Sequence, residues 1–457
     1  MKKTILTAAM LLLVAVATQA GGLMTNTNYH IAFNRMMARG ASFDIDAAYS
    51  NPAGLAWGYD GWQLSLNFQK PWQNRDIEMS IHGFLGSDFN KKYPGKASAP
   101  IVPALFAAYK HDRWALSAMI GIVGSGGFVK YDEGVPMFNV PITAMLVAQK
   151  SIMPGSYTLD SQMKGKQYIY GAQLNFTYKI TEWLSAAVGV RASYYDGYYR
   201  GHVVATPGEA PVPDEGGDPL VSLQLDCDQR GWGVAPILGL DFHKGPLTVA
   251  AKYEFRTRLN IPNKTNRLEA SVKGMTPEQV AAQFGAKMAP YKDGAKTRYD
   301  MPSLLAVAVG YEFTPKFRAT AEYHFFDDRH AKMAGDRQKT LKHGTNELLL
   351  GAEYDVSDVL TLSLGGQRTD YGLSDDYQQN TSFACDSYSI GLGAAVNISK
   401  KVRLNAGYFI TLYSKYNKQI PAGDPAKGLG YYGTGCGATE TYSRTNNVIG
   451  IGIDYKF

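Results

Sequence analysis

Beyond its first twenty residues the chain has no apolar run long enough to cross a membrane as a helix, which takes about 20 residues. That absence excludes a bundle of membrane helices, and a mean hydropathy of −0.21 by itself reads as soluble. Cysteine is scarce: Cys227, Cys385 and Cys436 are the three in 457 residues, which excludes a disulfide scaffold. A dominant charge is missing too. Without a leader carrying Lys2 and Lys3, basic and acidic residues number 44 and 40, a balance of 44 − 40 = +4 that gives no argument for nucleic acid. Catalytic signatures are absent as well: no P-loop, no HExxH and no GxSxG elbow. Gly124-Ser125-Gly126-Gly127 holds a serine among glycines, but at a strand end rather than a strand-to-helix turn. The eight histidines show no metal spacing, and Asp327-Asp328 and Asp375-Asp376 read as solvated loop acids. The expectation is a protein that is not an enzyme and takes no cofactor or metal.

What is present begins with an export signal. Lys2 and Lys3 precede an apolar centre from Ile5 to Ala17, and Thr18-Gln19-Ala20 is a small-x-small cleavage site. No cysteine follows the site, so residues 1–20 read as a cleaved leader rather than a lipid anchor.

From Gly61 onward, apolar and polar residues alternate. Ile449, Ile451, Ile453, Tyr455 and Phe457 share one face of the last segment, and Gly450, Gly452, Asp454 and Lys456 share the other. Tyr388 to Ile398, Leu247 to Phe255 and Phe317 to Phe325 repeat the pattern. A soluble sandwich and a membrane barrel both alternate. The export signal, strands of about ten residues, and loops alternating between short and long favour the barrel. The strands fall near 61–70, 101–110, 113–123, 167–180, 183–197, 231–243, 247–258, 302–313, 316–326, 345–356, 359–369, 386–399, 402–413 and 446–457. The expected fold is an all-β membrane protein, an antiparallel transmembrane β-barrel of about fourteen strands over 61–457.

The long loops fall near 71–100, 124–166, 198–230, 259–301, 327–344, 370–385 and 414–445 and hold all three cysteines. Cys385 and Cys436 occupy adjacent loops and are the preferred disulfide, although spacing does not fix connectivity. Thr276-Pro277-Glu278-Gln279 is a capping box with proline at the first helical position; Val280 and Phe284 lie on one side of the helix it opens. The loop from Val135 to Met153 is apolar for a surface and carries Phe138, Ile142 and Leu146. It is either a binding surface or a cap packed on its neighbours.

A fourteen-strand lumen is too wide for side chains alone to fill, so water or a plug must occupy it. The inward charges Arg191, Lys252, Glu254, Arg256, Glu312, Arg318, Glu322, Glu347, Glu353 and Arg403 mix both signs and suit either content. Residues 21–60 supply a plug. Leu23, Met24, Phe33, Met36 and Met37 are candidates either for a small packed core or for contact with an apolar ligand, with Arg35, Arg39, Asp44 and Asp46 among them. Asn51-Pro52-Ala53-Gly54 closes the segment as a turn that the Asn51 side chain is expected to tie.

Ala41-Ser42-Phe43-Asp44, then Ala47, then Asn51-Pro52-Ala53-Gly54-Leu55, resemble the N-terminal hatch of the FadL/TodX outer-membrane transporters. With Asn26-Thr27-Asn28 ahead, the version here is similar to the Bacteroidetes branch. The resemblance implies a monomer that carries hydrophobic molecules, long-chain fatty acids or aromatic hydrocarbons, across the outer membrane. It also implies an apolar extracellular groove, a luminal pocket, a moving hatch, and exit into outer-membrane lipid at a kinked third strand. The third strand here carries Gly121, Gly124, Gly126 and Gly127 within seven residues, which suits a kink. The groove would be Phe138, Ile142, Leu146, Val280 and Phe284. A surface adhesin or receptor barrel and a general diffusion porin are the alternatives.

Overall fold

Period-two alternation needs two chemically different sides, and a computed structural model of the chain supplies them as a closed barrel. The structure describes residues 29–208 and 218–457; the leader and the candidates Leu23 and Met24 lie outside them. β1 (Gly61–Phe84) carries two short strands, β2 (Ser87–Tyr93) and β3 (Gly95–Ser98), on its outer half. The wall continues through β4 (Val102–His111), β5 (Trp114–Tyr131), β6 (Tyr157–Lys179), β7 (Leu184–Pro207), β8 (Val221–Lys244) and β9 (Leu247–Glu254). β10 (Asn260–Val272) extends beyond β9 against β8, and β11 (Lys296–Arg298) folds back on β10. β12 (Leu304–Thr314), β13 (Phe317–Phe326), β14 (Thr345–Asp355), β15 (Leu360–Asp370), β16 (Ser387–Asn397) and β17 (Val402–Tyr413) follow. β18 (Tyr416–Ile420) pairs with the outer half of β19 (Ala438–Lys456). β19 closes on β1 from Gln63↔Lys456 to Ile81↔Ala438. With β2, β3, β10, β11 and β18 counted as extensions, the wall has fourteen antiparallel strands at the expected places.

The outward face is apolar: Leu116 is 50% exposed, Leu350 65% and Ile451 63%. Aromatic belts bound it. Trp62, Trp114, Tyr178, Trp183 and Phe457 stand at the short-turn end; Trp72, Tyr170 and Trp232 stand toward the long loops. Trp62 and Trp72 are ten residues apart on β1, which spans the height of an outer-membrane apolar band when the strand is tilted.

Stretches of every long loop except 327–344 and 370–385 prove to be sheet; the longest strands, β1, β6, β7 and β8, run 23 or 24 residues and continue past the outer belt. Alternation fades there because neither side faces lipid, as in Asp226-Cys227-Asp228-Gln229-Arg230 of β8. The strand expected at 247–258 ends at Glu254. The Cys385–Cys436 bridge is not formed, a correction to the expected pairing: all three cysteines are free. Cys385 is buried beneath β19, its Sγ 3.6 Å from the Tyr442 carbonyl, and burial pushes its thiol up to about 11.

Among the described residues four α-helices decorate the barrel: α1 (Ile31–Arg35) and α2 (Ala47–Ser50) inside, α3 (Pro136–Lys150) and α4 (Pro277–Met288) among the outer loops. The capping box at Thr276 and Gln279 forms as expected. α1 rests on a smooth seat of inward glycines on β16, β17 and β19, and Met36 and Met37 just after it lie over Gly351 of β14 and Gly365 of β15. A Cβ on Gly391 would stand 2.5 Å from the Asn34 carbonyl oxygen, and one on Gly450 would stand 2.4 Å from Ile31 Cδ1. Glycine in these strands therefore marks the close approach of a second chain segment. Gly391→Val is expected to unseat α1 while the wall still forms. Limited proteolysis should then cut within residues 29–60 of a barrel that keeps its heat-modifiable mobility, and full protection would show that the seat tolerates a side chain.

Candidate functional site

The inside of the barrel divides into a polar lock and two apolar cavities. The lock holds the hatch. Arg35, 1% exposed, pairs with Glu353 and Ser363, and its Nε donates to Asn405 Oδ1 at 3.3 Å. Arg39 donates to both Asp46 oxygens at 2.8 and 2.9 Å and lies 3.7 Å from Glu353. Arg318 reaches Glu353 from β13 at 2.9 Å. One buried carboxylate thus sits among three guanidinium groups, two from the hatch and one from the wall. Further up, the Gly40 amide donates to Glu322 at 2.8 Å; near the short-turn end of β19, His30 bonds Asp454 at 3.0 Å.

The second half of the hatch is held by its own backbone. Asn51 accepts from the Ala53 amide at 3.4 Å and donates to the Leu240 carbonyl at 3.0 Å, so it ties the turn as expected. Pro52 opens a 3-10 turn through Trp57, and a Cβ on Gly54 would lie 2.3 Å from the Ser42 carbonyl oxygen. Wall side chains collect the freed carbonyls: Asn175 that of Ala48, Lys252 that of Tyr49, Thr177 that of Pro52 and Ser185 that of Ala53, at 2.8–3.0 Å. These satisfied carbonyls are what lets irregular backbone sit at membrane depth.

The first apolar cavity lies where the wall is incomplete. β4 pairs with β5 only from Leu105↔Ile120 to His111↔Trp114, and β3 resumes at Ser98↔Phe128. Between them residues 99–104 face 121–127 with no ladder pair, and Pro100 and Pro103 on that side have no N–H to offer. On its other side β5 shifts register against β6 twice, between Ile122 and Gly124 and between Ser125 and Gly127. Gly124, Gly126 and Gly127 therefore fall at a double bulge, and Gly121, expected with them, pairs regularly with Gly171 just before it. Gly127 takes φ +67°, an angle costly for any other residue. Ile122, in register with lipid-facing Leu116 and Ile120, is instead 7% exposed against Ala99 and Val102. A cavity of about 120 Å³ opens here, lined by Val102 and Ile122 with Tyr29, Tyr168, Phe409 and Val448. Tyr168 belongs to the outward register of β6, whereas Phe409 and Val448 face inward, so the cavity passes through the wall. A second interruption, beyond Glu254, is filled: a Cβ on Gly233 would lie 2.6 Å from the Arg258 carbonyl oxygen.

The second cavity, also about 120 Å³, lies under α3 and α4 against the outer halves of β6, β7, β8 and β10. Phe138 and Phe284 line it with Met163, Val203, Leu223 and Met288. Ile142, Leu146 and Val280 are buried directly behind in the same apolar cluster. The five expected groove residues thus meet, from segments over 120 residues apart in the chain. Phe33, Met36 and Met37 do not face either cavity. They are 1–4% exposed; Phe33 and Met37 pack with Leu349, Phe409 and Val448, and Met36 packs over Gly351, so they form the small core of the hatch. Below them the lumen is polar: a 220 Å³ space at the short-turn end is lined by Arg39, Asp44, Arg318, Glu353 and Arg403, and Glu312 at its rim. Arg256 points to the outer loops, 3.7 Å from Asp300. Reasoning from sequence missed Val102, Tyr168, Phe409 and Val448, whose only signal was lying near the glycine-rich third strand or the inward face.

Residues 270–457 match the family described as outer membrane protein beta-barrel domain. Among solved structures, a Pseudomonas aeruginosa FadL homologue superposes with a TM-score of 0.66 at 15% identity, over 96% of this chain and 100% of that one. The Pseudomonas putida toluene transporter TodX gives 0.56 at 13%, over 96% and 100%. The Ralstonia pickettii toluene transporter TbuX gives 0.51 at 13%, over 94% and 99%. No curated protein matches the chain in sequence at a significant level.

Removing one partner of a buried ion pair typically costs about 3–5 kcal/mol, because the remaining charge is left uncompensated. Glu353→Ala strips the carboxylate from three guanidinium groups. It is expected to lower stability by about that amount, seen as a lower urea midpoint of the barrel in lipid vesicles. An unchanged midpoint would mean that water already carries the cluster.

Proposed function

We propose that this chain, an outer-membrane β-barrel with the fold of the FadL and TodX transporters, takes up hydrophobic molecules passively and releases them sideways into the membrane. Long-chain fatty acids or similar compounds are the proposed cargo and a monomer the proposed working unit. One observation carries the reading: the apolar cavity at Val102 and Ile122 passes through the wall, while the way down the lumen is shut by the hatch and its ion pairs.

An apolar molecule gains about 0.8 kcal/mol for each CH₂ it buries, so apolar sites in series can draw it across a hydrated surface without an energy source. Phe138 and Phe284 offer the first site above the outer belt. The wall cavity offers the second, level with Tyr170 of that belt through the pair Ile122↔Tyr170. Below the hatch the lining is ionic and offers an apolar molecule nothing, whereas the lipid beside Tyr168 is a favourable destination. Asn51, Pro52, Ala53 and Gly54 anchor the hatch, and movement is assigned to the part upstream of them.

The plug also sets this reading apart from a general diffusion porin. Planar-bilayer recordings are expected to show no large steady conductance steps. Deleting Val123 and Gly126 together removes two residues from β5, so the bulges are lost and the faces of the strand are kept. Uptake of a labelled fatty acid by vesicles carrying this variant should fall to the level of empty vesicles, with the barrel still heat-modifiable. Unchanged uptake would refute the sideways exit. Phe138→Asp with Phe284→Asp should weaken capture instead and raise the ligand concentration needed for half-maximal uptake.

A further inference from the structure

The wall cavity also narrows the cargo, on the premise that it is the exit just proposed. Among the described residues that line it none is charged; the side chains able to hydrogen-bond as amides or small hydroxyls are Gln69, Gln73, Ser98 and Asn446. A cation touches the lining from outside it: Arg444 Nη2 donates to Gln73 Oε1 at 3.3 Å. Two of the amides are buried and incomplete. Gln69 is 6% exposed and its Nε2 has no hydrogen-bond partner among the described residues; Asn446 is 5% exposed and its Oδ1 has none. Asn446 Nδ2 donates to Thr411 Oγ1 at 3.5 Å, which leaves Oδ1 as the open end. Gln69 lies opposite Gly450 and Asn446 opposite Gln73. The open donor and the open acceptor therefore stand four residues apart along one ladder, about 13 Å.

We propose that the wall cavity takes uncharged, hydroxyl-bearing apolar molecules, namely phenols, alcohols and, of a fatty acid, the neutral acid form, in preference to ionised carboxylates and to plain hydrocarbons. A hydroxyl offers one donor and two acceptor sites, so it can complete either amide, accepting from Gln69 Nε2 at one height or donating to Asn446 Oδ1 at the other. A carboxylate only accepts. It would surrender its hydration where no lining side chain is charged and the neighbouring Arg444 is already bonded to Gln73, and it would repel Asn446 Oδ1. A hydrocarbon satisfies the apolar lining but leaves both amides buried and unpaired. A dry cavity of about 150 Å³ holds benzene, which sets the scale for the 120 Å³ here.

The test is equilibrium dialysis of the whole detergent-solubilised protein with three matched probes: 4-methylphenol, toluene and 4-methylbenzoate. Ala99→Phe, which fills the cavity, identifies the binding that belongs to it. In that fraction, 4-methylphenol is expected to bind about tenfold tighter than toluene and tighter still than 4-methylbenzoate. Gln69→Leu and Asn446→Leu should each shrink the preference for 4-methylphenol over toluene several-fold and leave toluene unchanged or tighter, in barrels of normal heat-modifiable mobility. Equal or tighter binding of 4-methylbenzoate, or a preference for 4-methylphenol that survives both substitutions, overturns the inference and leaves the exit reading standing. Absence of any probe binding sensitive to Ala99→Phe overturns the exit reading and this inference with it.

Discussion

Inside hydrocarbon each unpaired backbone N–H or C=O costs several kcal/mol, and the rest of this structure depends on how that constraint is met. Closure of β19 on β1 meets it for the wall. The constraint also gives the break between β4 and β5 its meaning. A stretch of seven residues at belt level without a ladder on one side, facing Pro100 and Pro103, is costly unless the local geometry is used for something. Apolar and uncharged polar side chains line the opening, which suits the sideways path proposed above.

The same constraint governs the hatch. Its residues cannot pair as strands within the lumen, so each exposed carbonyl is met by a polar wall side chain, as Asn175, Thr177 and Ser185 do. Buried ion pairs are weak devices for stability but strong ones for register, because only one arrangement compensates every charge. Glu353 among Arg35, Arg39 and Arg318 sets where the hatch sits, and the glycine seat under α1 sets how closely. The contacts that hold the upper hatch are ionic and small-core contacts, whereas the lower hatch is stitched by its backbone. Any movement is therefore cheaper in the upper part.

Much of this was legible in the chain. Alternation with period two, strand length and turn spacing located all fourteen strands, because lipid outside and polar groups inside imprint on successive residues. The groove residues Phe138, Ile142, Leu146, Val280 and Phe284 were legible because apolar residues in an exposed loop need a partner, and each other is the partner they found. The outer halves of β6, β7 and β8 were not legible, since beyond the belt no lipid imposes a pattern. Phe33, Met36 and Met37 could be placed in the hatch, yet whether they meet ligand or wall depended on what lay opposite. Leu349, Phe409 and Val448 are there, contributed by three separate strands.

The sequence by itself determined the barrel, the hatch and the kinked third strand, since each is written in the spacing of neighbouring residues: alternation, an Asn-Pro turn, and four glycines in seven. Only the tertiary structure decided that Gly391 and Gly450 seat a helix, that Arg35 and Arg39 share one carboxylate with Arg318, and that the cysteines stay apart. It alone brought Gln69 and Asn446 to a cavity without charge. The physical reason is that these depend on distances between segments well separated in the chain, from tens to hundreds of residues, fixed by closing the wall and by nothing local.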